Sequence, residues 1–155
     1  MYLYIIRFIL GILPVVYMLW IWLQSSHFNP SKFEDIDDQI GIQLYYLLGA
    51  ALEIGHLFQF AILYALLVMA FLTFGKLSLK IEILLFIISV LYGALDEIHQ
   101  YFVPFRSFSF IDLVKDSIGV IVVSYIIHKK YFNQKQSRVG KFLRGITALK
   151  KNISL

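Results

Sequence analysis

Five residues packed into one short stretch, "DEIHQYFVPFR" (96–106), could do chemistry: Asp96, Glu97, His99, Gln100 and Arg106. Carboxylates and imidazoles transfer protons as general acids and bases. A guanidinium is a planar fork suited to carboxylate or phosphate oxygens. Glu53 and His56 lie upstream, and Asp112, Lys115 and Asp116 lie downstream. On a helix, residues three apart share a face, which pairs Glu53 with His56 and Asp96 with His99. Asp112, Lys115, Asp116 and Gly119 form one further stripe, with Lys115 a local ion-pair partner for the aspartates.

Three chemistries fit these residues. In the first, Glu53, His56, Asp96, Glu97, His99, Gln100, Arg106, Asp112 and Asp116 line a binding pocket, with Arg106 on an anionic group. In the second, Glu97 or His99 is a catalytic acid or base and Arg106 stabilises charge. In the third, the carboxylate-x-x-His pairs of "EIGH" and "DEIH" are metal ligands completed by Asp112 and Asp116. The bland alternative is an inter-helix clamp. The binding reading accounts for most of the residues. No metal and no cofactor is expected under it: there is no cysteine, no phosphate-cradling glycine loop and no nucleophile elbow.

The elements that carry these residues are apolar. Of 155 residues, 59% are hydrophobic and 15% charged, with a mean hydropathy of +0.75. A soluble domain carries about 25% charged residues, and a chain this short cannot bury so much apolar side chain in its own core. The surplus points to lipid. Runs at 2–23, 44–74, 81–95 (continuing towards 101) and 108–127 are each long enough to cross a bilayer as helix, which takes about 20 residues. Pro14 lies inside the first run, where a kink is expected, and Gly75 can end the second.

Lysines and arginines orient the spans. The 2–3 turn holds Lys76 and Lys80. The tail from Lys129 onward holds eight of the fourteen basic residues and no acid, whereas the loop after the first span has Glu34, Asp35, Asp37 and Asp38 against Lys32. The expected fold is therefore all-α: an integral membrane four-helix bundle with both termini cytoplasmic, spanning residues 1–128 and followed by a tail at 129–155. Val139, Phe142, Leu143, Ile146, Leu149 and Ile153 recur in that tail at helical spacing between basic residues. This predicts a basic amphipathic helix on the anionic inner leaflet. The basic residues are juxtamembrane, so nucleic acid is not an expected partner. The expected location is the bacterial plasma membrane, multi-pass.

With that topology, a rise of about 1.5 Å per residue brings the polar residues of all four spans, "QSSH" (24–27) included, to one level near the outer surface. Charge in lipid costs several kcal/mol unless it faces protein or water, so the stripes should turn inward. Glu82 and Arg7, near the other boundary, read as snorkelling residues, and His27 and His128 as interfacial.

"DEIHQYFVPFRSFSFIDLVKDSIG" (96–119) resembles the VanZ-like family of small membrane proteins through Asp96, Glu97, Gln100, Pro104, Arg106, Asp112 and Gly119. His56 in "EIGHLFQF" and the "QSS" after the first span extend the resemblance over about residues 20–125. Phe105, Asp116 and Val123 stand where that pattern has Gly, Asn and Gly. The family's namesake is associated with resistance to teicoplanin, a glycopeptide with a lipid tail. The resemblance implies a pocket for an amphiphile, either such a lipoglycopeptide or a lipid-linked cell-envelope intermediate. The alternative it leaves open is an enzyme acting on a lipid phosphate or glycolipid.

Overall fold

The computed structural model describes residues 2–27, 42–104 and 106–151. The described residues form five α-helices and no strand: α1 (Tyr2–His27), α2 (Ile42–Leu72), α3 (Leu79–Tyr101), α4 (Phe110–His128) and α5 (Arg138–Lys151). A π-helical turn, Lys129–Asn133, joins α4 towards α5. At about 1.5 Å per residue, the 26, 31, 23 and 19 residues of α1 to α4 give lengths of about 39, 46, 34 and 28 Å. Helix α1 runs on through Pro14 without interruption.

Local chemistry sets the boundaries. After Leu72, the Thr73 hydroxyl donates to the Ala70 carbonyl at 2.7 Å, and Gly75 N–H reaches back to Phe71. Ser78 caps α3 by accepting from Ile81 N–H, with Glu82 in the first turn where a negative charge complements the helix dipole. Ser109 caps α4, its Oγ accepting from Asp112 N–H at 3.2 Å. Pro104 lies in a turn after α3, and α3 and α4 pack side by side.

Helix α2 is the centre of the bundle. Phe60, Leu63, Tyr64, Val68 and Leu72 are fully buried, and Ile21 of α1, Leu85 of α3, and Val120 and Ile127 of α4 close around them. Helix α4 lies against α2 most extensively, and Gly119 makes that approach possible: a Cβ there would sit 1.9 Å from the Leu57 carbonyl oxygen. Two tyrosines tie helices together, Tyr92 donating to Met18 O at 2.7 Å and Tyr17 to Gln59 O at 3.2 Å.

The outward faces are apolar on all four long helices. Phe8, Val15 and Leu19 of α1, Phe58 of α2, Leu91 and Leu95 of α3, and Ile118, Ile121 and Tyr125 of α4 are exposed. Among the described residues, two stretches, Leu3–His27 and Ile54–Leu72, are long and apolar enough to cross a membrane.

The tail forms the expected helix, α5, and part of its apolar set packs into the bundle. Leu143 and Ile146 are buried in the core of the bundle, and Tyr131 anchors the turn before them by accepting from Leu77 N–H at 3.2 Å. Arg144 donates to the Tyr131 carbonyl at 2.6 Å and also to Lys135 O. Only part of the apolar set, Val139 and Phe142, stays exposed. Ile153 lies outside the described residues.

Candidate functional site

The C-terminal turns of α3 gather the polar residues, and consecutive side chains there point to different neighbours. Asp96 and Glu97 are adjacent in sequence, and one residue of helix turns the side chain by about 100°. Asp96 faces α1: it accepts from Ser25 Oγ at 2.6 Å and from Gln100 Nε2 at 2.8 Å. His99 lies on the same side, where its Nε2 meets Ser26 Oγ at 2.8 Å and its ring stacks on Trp22 with centroids 3.8 Å apart. Gln100 passes the connection outward, accepting from Arg106 Nη2 at 2.6 Å. Asp96, Gln100 and Arg106 thus form a relay from the buried interior to the loop between α3 and α4.

Glu97 faces the other way. Its Oε2 accepts from Ser109 N–H at 3.0 Å, which joins the carboxylate to the first turn of α4. Asp116 of α4 lies on this side, with Oδ1 3.7 Å from His56 Nδ1 of α2. Glu97 is 0% exposed and Asp116 2%. Asp112 instead pairs with Lys115 at 2.9 Å near the surface.

The residues expected to act together therefore divide. Asp96, His99, Gln100 and Arg106 make one set with α1, and His56, Glu97 and Asp116 make a second across α2, α3 and α4. Glu97 and His99, the candidates for catalytic acid or base in the enzyme reading, serve different neighbours. Glu53's side chain and Phe105 lie outside the described residues. Ser109 gave no signal beyond its type, although a serine one turn ahead of an aspartate at a helix start is a capping pattern.

Between α1 and α2, at the same end of the bundle, is a cavity of about 320 Å³. Its lining combines polar side chains, Gln24, Ser25, His56, Gln59, Gln100 and Arg106, with the apolar Tyr17, Trp20, Phe58 and Ile62. Both arms of the polar network meet there, through Arg106 and Gln100 on one side and His56 on the other. Arg106 is partly buried. Desolvation pulls its pKa below the ordinary value, while Asp96, Glu97 and Asp112 pull it back up. It remains a cation.

At the opposite end, Glu82 and His128 correct an expectation. They are not independent interfacial groups: Glu82 is buried and its Oε2 meets His128 Nδ1 at 2.8 Å. Forty-six positions separate them in sequence, so no local pattern marks the pair.

No curated protein and no solved structure matches the chain. A family model for VanZ/LLP1 matches residues 3–132, and that range takes in α1 to α4 with both polar sets and the cavity between α1 and α2. The chain belongs to the VanZ/LLP1 family.

Proposed function

We propose that the protein is a multi-pass membrane protein whose cavity between α1 and α2 binds an amphiphile with an anionic head group at the outer leaflet. In this reading α1 to α4 all cross the bilayer and both termini are cytoplasmic. The exposed apolar faces of all four helices support the first point, since an aqueous surface would not leave them uncovered. The basic tail and the Lys76–Lys80 turn at the opposite end from the cavity support the second. The binding range extends from lipoglycopeptides such as teicoplanin to lipid-linked cell-envelope intermediates. Glycopeptide resistance follows where the former is bound.

One observation carries the reading: a cavity of about 320 Å³ is lined both by Arg106, Gln24, Gln59 and Gln100 and by aromatic and aliphatic side chains. An amphiphile matches that mixed lining. The guanidinium supplies the anion contact, and Gln100, held by Asp96, fixes its position. The enzyme alternative with Glu97 and His99 as acid and base is weaker, because the two carry different partners on different sides of α3.

The test is mass spectrometry of amphiphiles retained through purification in mild detergent. Wild type should retain an anionic amphiphile that Arg106→Ala does not. Teicoplanin susceptibility of cells expressing either form tests the drug-related version, which an unchanged susceptibility removes. In the same picture, Arg138, Lys141, Val139 and Phe142 on the exposed face of α5 contact anionic inner-leaflet lipid.

A further inference from the structure

His56, Glu97 and Asp116 each come from a different helix, and one ligand-type atom from each lies within 4.8 Å of the other two. Four atoms at this point have no hydrogen-bond partner among the described residues: His56 Nδ1, Glu97 Oε1, Asp116 Oδ1 and Asp116 Oδ2. All four are buried. A buried polar atom left without a partner costs about 1–3 kcal/mol, and more when it is charged. Two carboxylates and an imidazole turned towards one point therefore need something between them.

Glu97 Oε2 accepts from Ser109 N–H and the Gln100 amide N–H donates to Asp96, so neither meets the four atoms. Asp112 and Asp96 add negative charge nearby on α4 and α3. The point is electronegative, desolvated and lined by acceptors.

We propose that His56, Glu97 and Asp116 hold a divalent transition metal ion. Two carboxylates neutralise a dication, which removes the cost of burying like charges side by side. The donor set of one imidazole nitrogen and two carboxylate oxygens, without thiolate, suits ions in the manganese-to-zinc range. Bonds of about 2.1 Å put the ligand atoms of one ion about 3–4 Å apart. The 3.7 Å between His56 Nδ1 and Asp116 Oδ1 is already in that range, and the ligand-type atoms of all three residues lie within 4.8 Å of one another. Three protein ligands leave a coordination position open. His56 also lines the cavity between α1 and α2, which places the ion at the cavity's inner edge. The carboxylate-x-x-His pairs of the sequence are not the ligand set: His99 is committed to Ser26 and Trp22. The proposal does not depend on what the cavity binds.

Metal content of the purified full-length protein in detergent tests it. The protein is stripped with chelator, reloaded separately with Zn²⁺ or Mn²⁺, desalted and analysed by elemental mass spectrometry. About one ion per chain should remain on wild type for at least one of the two metals. His27→Ala, which removes an exposed surface histidine, should keep it. His56→Ala, Glu97→Gln and Asp116→Asn should each fall to the background level. Should those variants not fold, wild type alone decides: chelator should lower its unfolding temperature and Zn²⁺ or Mn²⁺ restore it. Wild type holding no ion above background, variants holding as much as wild type, or melting indifferent to chelator and both metals would each overturn the proposal. A shared-proton cluster is what would then remain.

Discussion

Gly119→Ala is the substitution whose effect the geometry sets most tightly. A Cβ at this position would meet the Leu57 carbonyl oxygen at 1.9 Å. Carbon–oxygen contacts in proteins lie at about 3.3 Å or more, so α2 and α4 must separate by about 1.4 Å. The obstacle is backbone, so no rotamer change relieves it. Overpacking of this kind costs about 1–3 kcal/mol, and the better helix propensity of alanine returns about 1 kcal/mol. The net loss is then up to about 2 kcal/mol; for a chain this long about 2–4 °C of melting temperature follows each kcal/mol, so the variant should melt up to about 8 °C below wild type. Gly93→Ala is the control: its Cβ would meet the Phe60 ring at 3.6 Å, an ordinary contact, and it should melt at or above wild type. Thermal unfolding in detergent, followed by the fluorescence of Trp20 and Trp22, reads both. Because Leu57 adjoins His56 and Gly119 lies one turn from Asp116, the separation should also abolish metal retention. Gly119→Ala melting as high as Gly93→Ala would refute the close α2–α4 packing and the cluster built on it.

Other expectations follow from single contacts. Ser25→Ala removes a 2.6 Å donor to buried Asp96 and should destabilise by about 1.5–3 kcal/mol, the worth of a hydrogen bond to a charged group, measured by the same melting assay. His128→Ala leaves Glu82 buried without its 2.8 Å partner and should cost about 1–3 kcal/mol without changing metal content. Leu143→Ala should destabilise the bundle by about 2–5 kcal/mol, because Leu143 is part of the core. Phe142→Ala, on the exposed face of α5, should leave the melt unchanged and weaken partition to anionic vesicles in a flotation assay.

Apolar run lengths made four of the five helices legible from sequence, since a run of twenty apolar residues has few alternatives to helix. The candidate site was legible as a level: polar residues of several spans converge at one end, and the same-face rule placed Asp96 with His99 correctly on the α1 side. What could not be read was which polar side chain meets which. Adjacent Asp96 and Glu97 diverge because helical rotation separates them, and that rotation becomes a partner list only once α1, α2 and α4 are placed around α3. His56 with Asp116, and Glu82 with His128, join residues tens of positions apart, where spacing carries no information. The tail's amphipathic pattern made α5 legible as a helix with one buried face, but not that Leu143 and Ile146 would pack into the core of the bundle.

In the proposed function, Arg106 anchors an anionic amphiphile in the cavity between α1 and α2. Native mass spectrometry of protein released from mild detergent measures this directly. A wild-type mass increment that fragments to an anionic amphiphile, absent from Arg106→Ala and reduced in Arg106→Lys (which keeps the charge but loses the fork), is the predicted result. Arg106→Ala carrying the same increment at the same occupancy would contradict it.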